Sequence, residues 1–371
     1  MTGEGAVTTL IRVIDGHNDL PWAMRRLHDS DFDVADLSGD VPSMQSDIPR
    51  LRRGGVSGQF WSVYVPSTLP GPTAVATTLE QIDFVHRMIA RYPDDFAVAL
   101  DADGVEAAAA SGQIASMLGM EGGHSINESL PVLRMMFDLG VRYMTLTHND
   151  NVSWADSATD ERVVGGINAF GVEVVREMNR IGMMVDLSHV STEVMHQAMS
   201  ASRRPVMFSH SSARALCQVE RNVPDDVLGN LAINGGICMV AFVPDFVSPA
   251  FAKWFEECRQ ITAEEGGDSR SSADVDRMIA RRRLSDPPPD VDVHQVADHI
   301  EHIRDVAGVD HVGIGGDYGG SMLMPSDLAD VAAYPVLFRE LADRKWSTDD
   351  LNRLRRANVL RVMRDNQPSY G

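Results

Sequence analysis

The feature that most narrows the fold is an alternation. Eight short apolar runs recur at residues 11–15, 59–65, 114–120, 141–147, 183–187, 206–208, 236–242 and 312–316. Most are followed by a stretch whose apolar residues fall three and four apart, at 78–92, 130–139, 168–181, 192–200, 225–233 and 293–306. Short continuous apolar runs read as strands buried on both faces; three-and-four spacing reads as a helix with one face in the core. In 78–92 that face is Leu79, Ile82, Val85 and Ile89. Strand–helix alternation implies a parallel sheet. Eight units predict an α/β chain folded as a (β/α)8, TIM-like barrel. The rival, an open doubly wound sheet, would place a glycine-rich phosphate loop after its first strand. Here Gly16 ends that strand and His17-Asn18-Asp19 follows.

The 371 residues fit a single catalytic barrel domain spanning 1–371, with an excursion at about 245–292 and a last helix at about 347–364. Ser347 is placed to cap that helix. Within the excursion, Glu264–Asp268 and Pro287–Pro289 flank the basic run Arg281-Arg282-Arg283. The segment reads as a short helix plus loop, and the basic run as a solvated face.

Charge and composition remove several function classes. The formal net charge is −20, from 33 Lys and Arg against 53 Asp and Glu. Such a surface repels phosphate backbones and anionic bilayers, so neither nucleic acid nor membrane is an expected partner. Lys253 and Lys345 are the only lysines, which leaves little scope for Schiff-base chemistry or a carboxylated-lysine metal bridge. Cys217, Cys238 and Cys258 form no CxxC pair and fit reduced thiols in a cytoplasm. Met1–Ala6 lacks a basic leader and the chain ends without a hydrophobic tail, so a soluble cytoplasmic protein is expected.

Barrel active sites gather at the C-terminal ends of the strands. The polar residues at those ends are His17 and Asp19, Glu121, His148, His189, His210 and Asp317. In extended chain His17 and Asp19 project to one side. Three histidines (His17, His189, His210) and two carboxylates (Asp19, Glu121) suffice for two metal ions, and imidazole with carboxylate suits zinc. With lysine so scarce, Glu121 is the best bridge between them.

The motifs that carry these residues resemble the membrane dipeptidase (renal dipeptidase) family of the amidohydrolase superfamily. They are Asp15-Gly16-His17-Asn18-Asp19-Leu20-Pro21, Gly58–Tyr64, Glu121-Gly122-Gly123-His124, Leu146-Thr147-His148-Asn149, Asp186-Leu187-Ser188-His189, Phe208–Ser212, Arg221–Asp226 and Gly315-Gly316-Asp317. The resemblance implies a TIM-like barrel with two zinc ions per chain: one held by His17 and Asp19, one by His189 and His210, with Glu121 and a hydroxide between them. It implies that His148 binds the oxyanion and that Arg221 receives the substrate carboxylate, with His148 and Asn149 completing the substrate-binding set. Asp317 would carry the proton to the leaving amine. The expected reaction is hydrolysis of dipeptides, including those with a D-residue second. The rivals are another amidohydrolase activity (a lactonase or N-acyl amino acid hydrolase) and a non-catalytic metal-binding protein. A homodimer is implied by the resemblance only. In one departure from many relatives, Gly319-Gly320 follow Tyr318 where those carry an acidic residue, and these glycines are expected to leave room for either configuration of the second residue.

Overall fold

A computed structural model describes residues 12–368. Ile11 of the first expected strand, Met1–Ala6 and the terminal Ser369–Gly371 lie outside the described residues.

Among the described residues nine strands form, all parallel: β1 Val13–Asn18, β2 Val56–Ser62, β3 Phe96–Val98, β4 Ile114–Glu121, β5 Val141–Thr145, β6 Met184–Asp186, β7 Met207–Phe208, β8 Ile237–Val240 and β9 Val312–Ile314. Eight of them close a ring, because β2 also pairs with β4 over Gly58–Ser62 against Ala115–Gly119. β3 is the ninth, and the sequence reading does not anticipate it. It pairs with Ile114–Ser116 on the edge of β4 whose later residues, Leu118–Glu121, pair with β5. It therefore sits beside the ring rather than in it. Three residues, Phe96-Ala97-Val98, with Val98 52% exposed, carry no alternation long enough to read.

The interior is packed, not hollow. Ile14, Phe60, Met117, Tyr143, Met184, Met207, Ile237 and Met239 form one buried cluster, and Val359, Leu360 and Met363 of the last helix pack against it. A second cluster lies between the outer faces of the strands and the helices. That division explains the continuous apolar runs, since both faces of each strand are covered. The last helix runs from Thr348 to Asn366 through a π turn at Arg353–Ala357. Ser347 caps it by accepting from the Asp350 amide, as expected. Asn358 ties it to β9 by donating to the carbonyls of Val309 and Val312 at 2.7 and 2.9 Å.

Two helical expectations shift. The helix expected at 78–92 begins at Gly71 and buries Thr78, Gln81, Ile82, Phe84, Val85 and Met88, leaving Leu79 42% exposed. Thr78 can be buried because its hydroxyl donates to the Ala74 carbonyl at 2.8 Å and its oxygen lies 3.0 Å from the Ser125 hydroxyl, which can donate to it. Its polarity masked the true face. The excursion after β8 is more than a short helix and a loop. It holds a single turn at Pro244–Val247 and two packed helices, Pro249–Glu264 and Ser272–Arg282.

In the basic run, Arg281 and Arg283 are exposed, as expected of a solvated face, and Arg282 is the exception. Arg282 lies over the Trp254 ring at 5.0 Å and pairs with Glu257 at 2.5 Å and Asp286 at 2.7 Å; Arg281 pairs with Glu265 at 2.6 Å. In so acidic a chain, a basic cluster finds partners inside the fold. Cys217, Cys238 and Cys258 are buried free thiols. Among the described residues no helix is long and apolar enough to cross a membrane.

Candidate active site

The site is built where the strands end. β1 passes through Gly16 and continues to Asn18, rather than ending at the glycine. A Cβ at Gly16 would lie 2.5 Å from Met239 Sδ and 2.6 Å from the Ser209 carbonyl. Only hydrogen fits there, so the glycine marks close packing inside the barrel instead of a strand end. Asp15 then locks the turn of chain that follows. Its Oδ1 accepts the His17 amide at 2.7 Å, and its Oδ2 accepts the Gly316 amide at 3.1 Å and the Tyr334 hydroxyl. The opposite ends of the chain are joined there, beneath His17 and Asp317. Two of the strand-end residues, His189 (φ 67°) and Asp317 (φ 62°), hold left-handed backbone. Non-glycine residues adopt that region rarely, and such strain concentrates at functional sites.

The seven strand-end residues converge. Glu121 stands between two sets of imidazoles. Its Oε2 is 3.4 Å from His17 Nε2, while its Oε1 is 2.9 Å from His189 Nε2, 3.5 Å from His210 Nε2 and 3.7 Å from His148 Nε2. His17 Nε2 also lies 3.4 Å from Asp19 Oδ2 and 3.9 Å from Asp317 Oδ1. Three overlapping sets have the spacing of metal ligands: His17 with Glu121 and His210, Glu121 with His148 and His189, and His17 with Asp19 and Asp317. His17 Nε2 and Asp19 Oδ1 are buried with no hydrogen-bond partner. A buried polar atom without a partner costs free energy unless something occupies its lone pair. The donor set is therefore one that a divalent cation completes. Both lysines are exposed, which removes the lysine-bridge alternative.

Outer hydrogen bonds orient these side chains. Tyr143 donates its phenol proton to the Gly16 carbonyl at 3.2 Å, and its oxygen lies 2.8 Å from His17 Nδ1. With Nδ1 donating to that oxygen, the neutral form of His17 presents the lone pair of Nε2 to the cluster. On the other side, His210 Nδ1 is 2.9 Å from Ser209 Oγ, which donates to Asp186 Oδ2 at 2.6 Å. Ser62 donates to Glu121 Oε2 at 3.0 Å. Sequence reasoning singled out none of Tyr143, Asp186, Ser62 or Ser209 for these tasks. Asp186 and Ser209 lie in motifs already quoted, one to three residues from a ligand, so proximity was the available signal.

The electrostatics agree. Burial opposes ionisation of Glu121, but His17, His189 and His148 outweigh it and hold the carboxyl well below its usual range. Burial drives His189 and His210 well below the ordinary imidazole value, so both are neutral donors at pH 7. Burial also takes His148 down to about 4. For Asp317, burial and the charges of Asp19 and Glu121 push the carboxyl well above its normal range.

A cavity of about 250 Å³ opens from this cluster. Asp19, Glu121, His148, Asn149, His189, Arg221 and Asp317 all contribute to its wall, whereas His17 and His210 lie deeper. Arg221 is 6% exposed and stacks over the Phe246 ring at 5.0 Å. It donates to Ser211 Oγ and the His210 carbonyl at 3.4 Å, and among the described residues no carboxylate lies within 4.0 Å of it. The outer wall comes from the excursion, through Phe251, Phe255, Arg259 and Ile279. The sequence reading assigned that segment no part in the site. Its link to the cavity depends on folding back over the barrel mouth, which no local pattern records. The glycines after Tyr318 do not act as expected. A Cβ at Gly319 would meet the Asp19 backbone at 3.0 Å, and one at Gly320 would lie 2.5 Å from Asp317 Oδ1 and 2.6 Å from Asp19 Oδ2. They admit the neighbouring chain to close contact with two carboxylates, and the space they spare is taken up within the protein.

Comparison with known proteins identifies the family. The family model described as membrane dipeptidase (peptidase family M19) matches residues 2–369. The chain belongs to the membrane dipeptidase family. Dipeptidase 3 of Rattus norvegicus is 40% identical over 357 residues, covering 95% of this chain and 64% of the relative. Dipeptidase 3 of Homo sapiens is 39% identical over 369 residues, covering 97% and 67%. The chain thus spans about two thirds of the length of these curated dipeptidases. Among solved structures, the probable dipeptidase PvdM of Pseudomonas aeruginosa superposes with a TM-score of 0.86 at 21% identity, covering 98% of this chain and 97% of that one. A Rhodobacter sphaeroides metallopeptidase carrying a phosphinate mimic of L-Ala-D-Ala superposes with a TM-score of 0.79 at 23% identity, covering 96% and 99%. At those identities the superpositions establish that the membrane dipeptidase fold and this one are the same barrel.

Proposed function

We propose that this protein is a zinc-dependent dipeptidase. The observation that carries the reading is Glu121, buried with its two oxygens turned toward different histidines, in a cavity shared with a buried arginine that among the described residues has no carboxylate within 4.0 Å. His17 and Asp19 would hold one zinc, His189 and His210 the other, with Glu121 shared. Bound zinc would polarise the scissile carbonyl and make water acidic enough to attack at neutral pH.

The protein's own groups do the rest. Arg221 receives the C-terminal carboxylate, because its planar fork donates two parallel hydrogen bonds. His148, neutral and lining the cavity, donates to the oxygen that becomes negative; such donors contribute about 3 kcal/mol in other hydrolases. Asn149 lines the cavity beside it and contacts the substrate. Asp317 accepts the proton of the attacking water and returns it to the leaving amine.

The first residue is constrained at both its amine and its carbonyl, so an L-residue or glycine is required there. The second is held chiefly by its carboxylate, so a D-residue is accepted. The phosphinate mimic of L-Ala-D-Ala bound to the Rhodobacter relative supports this stereochemistry.

The test compares L-Ala-L-Ala, L-Ala-D-Ala and D-Ala-L-Ala with an N-acetylated and a C-amidated dipeptide. We expect turnover of the first two alone. Equal cleavage of the N-acetylated peptide would favour an acyl amino acid hydrolase. Equal cleavage of the amide would remove Arg221 from its role.

A further inference from the structure

Beyond the ligand cluster the cavity carries four arginines, Arg26, Arg221, Arg259 and Arg270. Two are already paired: Arg26 with Asp276 at 3.0 Å, and Arg270 with Asp150 and, at 3.5 Å, Asp160. Arg221 is assigned to the substrate's C-terminus. Arg259, on the excursion helix Pro249–Glu264, donates from Nε to the Ser269 carbonyl at 3.2 Å. Among the described residues its terminal nitrogens have no partner and no carboxylate lies within 4.0 Å.

One carboxylate that lines the same cavity is in the same state. Asp245 lies in the single turn that follows β8 and lines the cavity. Among the described residues no side chain pairs with its carboxyl group within 4.0 Å. Burial raises its pKa to about 6, and the two cations that act against that rise are Arg221 and Arg259. Asp245 is next in sequence to Phe246, on whose ring Arg221 stacks. It therefore lies on the Arg221 side of the cavity, the side that the dipeptidase reading gives to the substrate's second residue.

We propose that Asp245 and Arg259 are the specificity-determining pair for that side chain, and that they select a neutral group able both to donate and to accept hydrogen bonds, the carboxamide of glutamine or asparagine. The inference rests on the dipeptidase reading. In the bound complex the substrate carboxylate neutralises Arg221, leaving Asp245 and Arg259 as the negative and positive groups of the cavity that are neither ion-paired nor part of the strand-end cluster. A lysine side chain satisfies Asp245 but meets Arg259; a glutamate satisfies Arg259 but meets Asp245. A carboxamide offers its N–H to the one and its oxygen to the other, and leaves neither half-buried charge facing its like.

The experiment measures kcat/KM for L-Ala-Gln, L-Ala-Glu and L-Ala-Lys in the wild type, Asp245→Asn and Arg259→Gln. The second residue is used in whichever configuration is cleaved faster. We expect the wild type to favour glutamine about tenfold or more over both charged peptides, the scale of one unmatched polar contact. Asp245→Asn should relax the discrimination against glutamate, and Arg259→Gln that against lysine. A wild type that prefers either charged peptide, or variants that leave both ratios within twofold of wild type, would overturn the pair. Failure to cleave any of the three, and L-Ala-L-Ala and L-Ala-D-Ala as well, would overturn the dipeptidase reading and the pair with it.

Discussion

Tyr143 shows how a single hydroxyl can set the orientation of an imidazole. Its ring fills space that Gly119 leaves open, since a Cβ there would lie 2.0 Å from the ring. Its oxygen fixes the ring of His17 at 2.8 Å. Tyr143→Phe keeps the packing and removes that contact. Outer partners of ligating histidines are worth about 10–100-fold in metal affinity, and a loss of that size is expected by chelator competition. Unchanged affinity would assign Tyr143 to packing alone. Asp317 answers a different question. Asparagine tolerates its φ of 62° and keeps its shape but cannot shuttle a proton. Asp317→Asn should lower kcat by about 10²–10⁴-fold while metal content stays at the wild-type level. Turnover within tenfold of wild type would place the proton elsewhere.

Among the elements, the helices around the barrel are joined by charges that outlie the site. Glu177, on the helix Ala169–Ile181, accepts from Arg180 twice at 2.7 Å and from Arg134 of the helix Leu130–Asp138 at 2.8 Å. The hydrogen bonds from Arg180, then from Arg134, outweigh burial and lower its carboxyl from 4.5 to about 2. A folded pKa below the unfolded one contributes stability that is complete above about pH 4.5 and lost as pH falls toward 2. Arg180 is 62% exposed, so solvent screening keeps the effect small. Urea midpoints of wild type and Glu177→Gln should differ at pH 7 and converge by about pH 2. Parallel curves over that window would show that the pair adds nothing.

At the scale of the whole molecule, three carboxylates, Asp19, Glu121 and Asp317, lie buried within one cluster. Their mutual repulsion is a cost that a bound cation removes, and a ligand that binds only the folded state stabilises it by mass action, about 4 kcal/mol at a thousand times Kd. Removing metal with a chelator should lower Tm by several degrees, and added zinc should restore it. A melting curve indifferent to both treatments would argue against a metal centre in the native protein.

The barrel was legible from the chain itself because burial on both faces of a strand leaves a continuous apolar run, and a helix against it leaves three-and-four spacing. The strand-end histidines and acids were legible for the same reason: once the strands are placed, their ends are placed. Signals weaker than that were lost. β3 is three residues long, Thr78 hid the buried face of its helix, and Gly16 ended a strand on paper that close packing carries through to Asn18. What tertiary structure alone decided is which partners meet across long separations. Asp15 meets Gly316 and Tyr334, Tyr143 meets His17, and Asp245 and Arg259 line the same cavity. Periodicity reports only which way a residue faces its own element. Which distant group waits there depends on how the elements close on one another, and no local pattern carries that information.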